Sequence, residues 1–444
     1  MAEQLRRDSR VAPTTRNGHH TPTPGAQSPV ADIDPNQTGL ASAAAPSRRP
    51  LRVAFLSPEF VTETTNEGGL ASYLARMTEA LVEAGHRPEI LTLTRSESGT
   101  TDFRSVPVHR VHAPSASHPL WKTARRASQH LGLAIEVVTE LAGAYALARR
   151  LADLERAEHF DAVQSADFGF TGLFVPHRRW RTHVVRCSWS GELYLRTDAD
   201  TLPLKAPLVG LIERRCIRRA DRAYAPSRYL ADYFRSRHGL DLDVVRPPLK
   251  SLQSPDAPVP PDLPAKYLVH FGQLRRRKGT DAVTAALPLV WASVPDFRMV
   301  WAGPEEEPGL VARARALWGE HSHKVLHLGA IDRPRLMTVL ARATAAVLPS
   351  AVDNLPNTVI ESLSLGVPVI GSAGASIDEL IQDEVNGYLV GLGDIQGLAT
   401  AMIRMWRNEL QALPMRTSPV IEEMAPSVAV ERLLALIDTA AAGR

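Results

Sequence analysis

Cysteine is scarce in this 444-residue chain, which contains only Cys187 and Cys216. Two cysteines so far apart offer neither the paired spacing of a zinc site nor a disulfide framework. No apolar run approaches the roughly 18 residues that a membrane-spanning helix needs. The formal net charge is only +3, so no general attraction to nucleic acid is expected. The N-terminus also lacks the apolar core of a secretory signal, and these absences together favour a cytoplasmic protein.

The composition is that of a globular protein, with 44% hydrophobic and 22% charged residues. A chain of this length exceeds one typical core, so two domains are expected. Residues 1–50 differ from the rest because they are rich in Pro, Ser, Thr, Ala and Arg and poor in large apolar side chains. Such a segment buries too little surface to offset its ordering entropy, which predicts a disordered tail. An arm that binds an anionic partner is the alternative.

A strand, a glycine loop and a helix follow one another from Leu51 onward. The run LRVAFLS is typical of a buried parallel strand, Gly68 and Gly69 follow after a polar loop, and apolar residues then recur at helical spacing. The next strand-like run is PEILTL, so the pattern predicts a βαβ unit in a domain over 51–250. The two glycines allow a ligand close to the backbone, although glycine turns are also common where no ligand binds.

Proline-dense residues 251–264 indicate a linker, and a second domain of alternating strands and helices is expected over 265–424. Its first strand, KYLVHFGQL, leads into a basic loop that ends at Lys278 and Gly279. Thr280 or Asp281 is the predicted cap of the helix after this loop. Residues 425–444 are predicted to form one amphipathic helix.

Two carboxylates, Asp353 and Glu361, lie eight residues apart where a loop runs into a predicted helix. Asn354 or Asn357 is the predicted cap of this helix, and the fixed φ of Pro356 suits its first turn. A helix N-terminus attracts phosphate through its free N–H groups and its dipole, and carboxylates accept hydrogen bonds from sugar hydroxyls. The pair therefore predicts a nucleotide-sugar site. The alternative is an ordinary loop, helix and strand whose carboxylates are solvated.

This segment resembles the E-x7-E region of the family 4 retaining glycosyltransferases, which have the GT-B fold, with Asp353 in place of the first Glu. The strand GVPVI and a small-residue loop, which leads to a predicted helix start at Ser376 to Glu379, are similar to the same pattern. The resemblance implies an α/β protein in which two Rossmann-like, doubly wound parallel-sheet domains face a cleft. It also implies that the C-terminal helix crosses back to the N-terminal domain.

The resemblance also implies roles for individual residues. Asp353 would hold hydroxyl groups of the donor sugar, Glu361 would bind the ribose, and Lys278 would bind the diphosphate. Catalytic roles are expected for Asp353, Lys278 and Ser188. Donor-binding roles are expected for Gly68, Gly69, Gly272, Gln273, Lys278, Asn354, Leu355, Asn357, Thr358, Glu361 and Glu379. No metal ligand is expected.

Two positions depart from the family pattern. Ser188 occupies a strand end where the family has a histidine, and a hydroxyl cannot do the proton chemistry of an imidazole near neutral pH. Gln273 replaces an arginine that supplies charge to the diphosphate. Whether Arg275, Arg276 or Arg277 compensates stays open, because adjacent side chains point in different directions. A solvated charge cluster is the alternative for these arginines.

The implied activity is retaining transfer from a nucleotide-diphosphate sugar to a hydroxyl acceptor, by a metal-independent front-face displacement without a further cofactor. A catalytically impaired sugar- or nucleotide-binding protein is one alternative, and another GT-B enzyme, such as a nucleotide-sugar epimerase or a phosphorylase, is a second. The acceptor, whether a glycan, a lipid-linked or a small molecule, and the oligomeric state stay open. Trp121 with Lys122, Arg125 and Arg126 suits an anionic acceptor or a peripheral contact with the inner face of a membrane. An exposed loop is the alternative there.

Overall fold

The computed structural model describes residues 49–63, 69–112, 135–192, 205–249, 257–351, 353–374, 376–409 and 418–443. The residues from Pro50 onward belong to one compact unit. Nearly all of the predicted tail, Gly68, the basic segment 121–126 and residues 251–256 of the predicted linker therefore lie outside the described residues. In the described part of the chain, no helix is long and apolar enough to cross a bilayer.

The N-terminal part contains an eight-stranded sheet in the order β3-β4-β2-β1-β5-β6-β7-β8. The strands are β1 (Arg52–Ser57), β2 (Arg87–Thr94), β3 (Gly99–Phe103), β4 (Val106–His112), β5 (Ala162–Ala166), β6 (Thr182–Arg186), β7 (Arg222–Ala225) and β8 (Asp243–Val244). All neighbouring pairs are parallel except β3 and β4. Every residue of β1 is buried, as expected for a central strand whose two faces are covered by helices.

Four described helices accompany this sheet: α1 (Gly69–Glu83), α2 (Ile135–Leu154), α3 (Lys205–Arg219) and α4 (Arg228–His238). The helix α4 begins after Ser227, whose hydroxyl accepts a hydrogen bond from the N–H of Leu230. It ends at Gly239, which adopts the left-handed conformation that glycine tolerates best. The start of α4 faces the second domain, because the N–H groups of Arg228 and Tyr229 donate to Glu379.

The second sheet has six parallel strands in the order β11-β10-β9-β12-β13-β14. These are β9 (Leu268–Phe271), β10 (Met299–Ala302), β11 (Val325–His327), β12 (Ala345–Leu348), β13 (Val369–Ser372) and β14 (Gly387–Val390). The described helices after β9 are α5 (Thr280–Ser293), α6 (Leu310–Trp318), α7 (Arg333–Ala341), α8 (Asn357–Ser364), α9 (Ile395–Trp406), α10 (Pro419–Glu422) and α11 (Pro426–Ala442). The predicted pair of doubly wound α/β domains is confirmed.

Each sheet reverses its strand order at one point, between β1 and β5 in the first and between β9 and β12 in the second. Loops that leave the carboxyl ends of two such strands diverge to opposite faces of the sheet and leave a crevice. The crevice of the second sheet lies between the loop after β9 and the loop after β12. These loops contain Lys278 and Asp353 respectively, so the topology brings the two expected catalytic residues to one edge.

The C-terminal helix α11 packs against the first domain. Its buried residues Val430, Leu433 and Ile437 belong to the same apolar cluster as Tyr73 and Leu74 of α1. Burying several such side chains stabilises this docking by about 1.5–3 kcal/mol each relative to exposure. The chain therefore crosses from the second domain back to the first before it ends in α11.

The helix starts around the second crevice differ from the predicted ones. Neither Thr280 nor Asp281 caps α5, because left-handed Gly279 precedes the helix and makes no side-chain cap. Asn354 and Asn357 do not cap α8 either, since Pro356 occupies the cap position. The predicted helix after Ser376 is only a three-residue 3-10 turn, Ile377–Glu379. Two of the predicted caps make tertiary contacts instead: Asn354 donates to Ser188, and Thr280 bonds to His270.

His270 joins the two strands at the second crevice. This residue is 1% exposed, its Nδ1 lies 2.7 Å from the carbonyl oxygen of Val347, and its Nε2 lies 2.9 Å from Thr280 Oγ1. Because a carbonyl only accepts, Nδ1 carries the proton and Nε2 accepts from the Thr280 hydroxyl. Thr280 Oγ1 in turn accepts from the N–H of Arg275 at 3.1 Å. A neutral imidazole thus supports the start of the basic loop.

We expect His270 to make folding stability pH-dependent. Burial lowers the pKa of His270 from 6.5 to about 4. Between these two pH values the unfolded chain therefore binds a proton at His270 that the native chain does not bind. Stability should therefore fall as the pH drops from 6.5 towards 4, by about 1.4 kcal/mol per unit from this residue alone. Urea unfolding across this range should show a shallower slope in His270→Gln than in the parent. Equal slopes in the two proteins would contradict this account.

Candidate functional site

The basic loop after β9 and the acidic loop after β12 touch through their backbones. Gly279 has a φ of 81°, and a Cβ added there would overlap the carbonyl oxygen of Pro349. Two residues further along, the N–H of Ala351 donates to the carbonyl oxygen of Arg277 at 3.0 Å. Only glycine satisfies both the left-handed conformation and the close approach. The contact fixes the separation of the two loops.

Lys278 and Asp353 meet across this contact. Lys278 Nζ lies 2.5 Å from Asp353 Oδ2, with side-chain exposures of 25% and 14%. The second carboxylate oxygen of Asp353 accepts the N–H of Asn354 at 3.1 Å. A partly exposed ammonium beside a carboxylate provides a donor for phosphate oxygens and an acceptor for sugar hydroxyls in one place.

The acidic loop is held by Ser376, which the sequence analysis did not select as a site residue. Ser376 Oγ accepts the N–H of Leu355 at 2.7 Å and donates to the carbonyl oxygen of Asp353 at 3.1 Å. Leu355 and Ser376 have φ values of 46° and 55°, a conformation that costs non-glycine residues about 1–3 kcal/mol. The two strained residues thus shape the backbone that presents Asp353.

Glu361 lies on α8, 9% exposed, and its Oε1 is 2.9 Å from Nη2 of Arg333 at the start of α7. At the first turn of the same helix, Thr358 approaches Gly272, since a Cβ on Gly272 would lie 3.3 Å from Thr358 Cγ2. The structure therefore brings the end of β9 next to the N-terminus of α8, where Asn357 is the first residue. A helix start flanked by a glycine and a carboxylate suits a phosphate and a polyol.

Ser188 lies opposite Asn354. The amide nitrogen of Asn354 donates to the carbonyl oxygen of Ser188 at 2.6 Å, and its Oδ1 accepts from Ser227 Oγ at 2.5 Å. The Ser188 hydroxyl itself accepts from Arg186, whose guanidinium stacks 3.9 Å from the ring centroid of Tyr73. The residue expected at the reacting centre is thus adjacent to the acidic loop, with its hydroxyl already bonded.

Asp167, at the carboxyl end of β5, supports Ser188 and was not selected from the sequence as a site residue. Its Oδ1 accepts the N–H groups of Phe168 and Ser188 at 2.8 and 2.9 Å, and the residue is 1% exposed. Burial raises the pKa of this carboxyl to about 6. Its position at a strand end beside the reversal point of the first sheet was the signal available in the sequence.

Glu379 contacts the first domain. Its carboxylate accepts the N–H groups of Arg228 and Tyr229, at 3.1 and 2.7 Å, at the N-terminus of α4. Arg246, whose side chain is 2% exposed, adds an ion pair at 2.7 Å and also pairs with Glu423 at 3.1 Å. A carboxylate at a helix start is favoured by the helix dipole. Glu379 therefore joins the domains, while its expected contact with a donor stays a prediction.

A cavity of about 500 Å³ lies between the two domains. Of the predicted site residues, Ser188, Lys278, Asp353 and Asn354 line it. The lining also includes Arg275 and Arg277 on the side of the second domain, and Glu136, Glu140, Lys205 and Glu213 on the side of the first. Burial raises the pKa of Glu140 to about 7 and that of Glu213 well above its ordinary value. The cavity is therefore basic on one wall and rich in carboxyl groups on the other.

The other predicted residues that the structure describes are not among those that line the cavity. Gly69 is the first residue of α1, and Gly68 lies outside the described residues. Gln273 is half-buried at the start of the basic loop. Within the described residues, no group of three or more His, Cys, Asp or Glu side chains could hold a metal ion.

Replacing Gly279 should disturb the loop contact. We expect Gly279→Ala to lower the free energy of unfolding by about 3 kcal/mol, because strain in φ and an overlap with Pro349 add together. Gly239→Ala is the matched control, since Gly239 also has a positive φ but an added Cβ meets nothing within 4 Å. That variant should lose only about 1 kcal/mol. Urea unfolding of both proteins checks this, and equal losses would show that the overlap contributes nothing.

Glu379→Gln should weaken the domain junction. The amide keeps the size of the side chain but removes the charge that faces α4 and the buried Arg246, so we expect a loss of about 1–3 kcal/mol. Glu423→Gln is the control, because Glu423 pairs with the same guanidinium but has a side chain that is 40% exposed. It should lose less than 1 kcal/mol. Denaturant unfolding of the two variants measures the difference, and an equal loss argues against a special role of Glu379.

Two family models match consecutive parts of the chain. The model described as Glycosyl transferase 4-like domain matches residues 68–249, and the model described as Glycosyl transferases group 1 matches residues 265–408. The two matches fall within the two parallel-sheet domains, and the first match begins after β1. Each domain therefore resembles the corresponding half of one kind of protein.

Curated relatives match over shorter stretches. Glycogen synthase of Mycobacterium tuberculosis (strain ATCC 25618 / H37Rv) is 28% identical over 167 residues, which are 36% of this chain and 39% of that protein. D-inositol 3-phosphate glycosyltransferase of Mycobacterium avium (strain 104) is 28% identical over 173 residues, or 38% of this chain and 39% of that protein. The chain thus spans about two fifths of the length of these relatives.

Solved structures match over most of the chain. Sucrose-phosphate synthase from Thermosynechococcus elongatus has a TM-score of 0.62 at 19% identity and covers 88% of this chain and 97% of that one. Anabaena HepE in complex with UDP and glucose has a TM-score of 0.61 at 14% identity, covering 88% and 100%. Similarity at this level of identity shows the GT-B fold. With both halves matched in order, the chain belongs to the glycosyl transferases group 1, with a glycosyl transferase 4-like N-terminal domain.

Proposed function

We propose that this protein is a retaining glycosyltransferase that moves a sugar from a nucleotide-diphosphate sugar to a hydroxyl acceptor. The observation that carries the proposal is the contact of Lys278 with Asp353 at the point where the second sheet reverses its strand order. This is the edge at which open α/β sheets bind ligands. Family membership and the complex of a similar fold with UDP and glucose support a donor of this kind.

In the proposed reaction the bond between the anomeric carbon and the leaving phosphate oxygen breaks, and a bond to the acceptor oxygen forms on the same face. The acceptor proton passes to an oxygen of the leaving phosphate, and a nucleoside diphosphate departs. Negative charge grows on the diphosphate during this step. Lys278 lies where it can stabilise that charge, and preorganised charge of this sort is usually the largest catalytic contribution.

Asp353 accepts hydrogen bonds from hydroxyl groups of the donor sugar in this proposal, and Glu361 accepts them from the ribose. The backbone contact between the two loops holds the Asp353 carboxylate beside Lys278, where its oxygens can accept these bonds. The N–H groups at the start of α8 contribute contacts to phosphate oxygens. In this reaction no protein side chain attacks the sugar, so Ser188 has a positioning role. Its carbonyl group accepts a hydrogen bond from Asn354 and holds that side chain beside the sugar site.

A catalytically impaired protein that only binds sugar or nucleotide is the second candidate. The replacement of histidine by Ser188 and of arginine by Gln273 favours it. A panel of nucleotide sugars, screened for thermal stabilisation of the full chain, identifies the donor. Release of nucleoside diphosphate in the presence of that donor then supports the transferase. Stabilisation without any release, with or without candidate acceptors, would instead favour the binding protein.

The variant Glu361→Ala tests the assignment of the donor site. Loss of a charged acceptor for the ribose should weaken donor binding by about 10- to 100-fold, which corresponds to about 1.4–2.8 kcal/mol. The fold should stay intact, because the partner Arg333 has a side chain that is 58% exposed and can hydrate. Titration with the donor found in the panel gives the affinity.

Glu384→Ala is the matched control for this measurement. Glu384 also pairs with an arginine at 2.9 Å, that of Arg404, but on the loop before β14. It should leave donor affinity unchanged. Unaltered donor affinity in Glu361→Ala would remove Glu361 from the proposed site.

A further inference from the structure

The basic loop after β9 carries arginines close to position 273, where the family pattern has an arginine and this chain has Gln273. Gln273 has no charge, yet Arg275 and Arg277 line the cavity beside Lys278. We propose that the guanidinium groups of Arg275 and Arg277 bind the diphosphate of the donor and take over the role of the missing arginine at position 273. This inference rests on the proposed function for the identity of the ligand, but its first test needs only an inorganic anion.

The conformation of the loop separates the three adjacent arginines. Leu274 is completely buried and is held by hydrogen bonds to Pro304 and Glu306. Arg275 is then extended, with a φ of −160°, and residues Arg276–Lys278 form a 3-10 turn. This change of backbone direction turns Arg275 and Arg277 towards the cavity and Arg276 away from it.

Arg276 is engaged on the outer side of the loop. Its Nε lies 3.0 Å from Asp281 Oδ2, its side chain is 78% exposed, and its N–H donates to Glu307 Oε1 at 2.8 Å. An exposed pair of this kind contributes at most about 1 kcal/mol. Arg276 therefore lies on the protein surface. It carries the same charge as Arg275 and Arg277 and belongs to the same loop, so it serves as an internal control.

The backbones of the other two arginines are fixed to the site. The N–H of Arg275 donates to Thr280 Oγ1 at 3.1 Å, and the carbonyl oxygen of Arg277 accepts from the N–H of Ala351 at 3.0 Å. Both loops that frame the crevice therefore hold the attachment points of these side chains. Charges placed in advance of the reaction need little rearrangement when negative charge develops.

The charge of this wall matches a diphosphate. Three cationic side chains, Arg275, Arg277 and Lys278, line the same side of the cavity as the carboxylate of Asp353. Guanidinium groups bind phosphate oxygens through two parallel N–H donors, which an ammonium group cannot do. Lys278 alone, shared with Asp353, would offer much less attraction for a diphosphate.

Inorganic pyrophosphate serves as the first probe, titrated calorimetrically into the full chain. We expect Arg275→Gln and Arg277→Gln each to weaken its binding about 5- to 20-fold, and the double variant to weaken it further. Arg276→Gln should stay within about twofold of the parent, and all variants should unfold at similar temperatures. The double variant should also show a smaller dependence of affinity on salt, since two phosphate contacts are lost.

Rescue distinguishes charge from structure. Adding Gln273→Arg to the double variant should recover part of the affinity, because it restores a guanidinium at the position that the family pattern uses. With a donor in hand, the arginine variants should lower kcat more than they raise KM, since the charge on the diphosphate grows towards the transition state.

Several results would overturn the inference. These are no measurable binding of pyrophosphate by the parent, equal losses in Arg276→Gln and Arg275→Gln, or full affinity in the double variant. The fate of the proposed function is separate. If the double variant transferred sugar as well as the parent, the inference would be refuted and the proposed function would stand. If pyrophosphate binding depended on the arginines but no nucleotide sugar bound, the inference would stand and the proposed function would be refuted.

Discussion

The backbone contact between Gly279 and Pro349 determines how the charged groups of the crevice meet. Reversal of strand order brings the ends of β9 and β12 together, but their loops could still diverge. The attraction of Lys278 to Asp353 cannot prevent this, because ion pairs near the surface contribute only about 0–1 kcal/mol. The missing Cβ of Gly279 and the bond from Ala351 to Arg277 hold the loops in contact. The ion pair is a consequence of this packing.

The loops that form the site also form the junction of the domains. Asn354, next to Asp353 in sequence, bonds to Ser188 and Ser227 of the first domain. Glu379, three residues after Ser376, binds the start of α4 and Arg246. Any change in the arrangement of the domains must therefore act on the backbone that presents Asp353. The same hydrogen bonds that join the domains therefore also hold the backbone next to Asp353.

The parallel architecture could be predicted because buried strands such as LRVAFLS leave a continuous apolar signal. The strand β3 could not, since its residues GTTDF are mostly exposed and pair only along one edge. The choice of Asp353 and Lys278 came from a resemblance to known motifs, and the structure places the two in contact. Asp167 and Ser376 were missed because their bonding partners lie up to 23 residues away in sequence. The caps failed for the same reason: Asn354 and Thr280 bond across the tertiary structure.

The sequence also could not predict which of the three adjacent arginines face the cavity, since they are the same residue type in a row. Backbone geometry determines this, because an extended residue followed by a tight turn points neighbouring side chains in different directions. Electrostatic stabilisation depends on the distance between charges and on the local dielectric, not on the position of a residue in a motif. A cation two or four residues beyond Gln273 can therefore reach the same anion if the cavity admits it. If Arg275 and Arg277 bind the diphosphate as proposed, the uncharged Gln273 no longer favours a catalytically impaired protein.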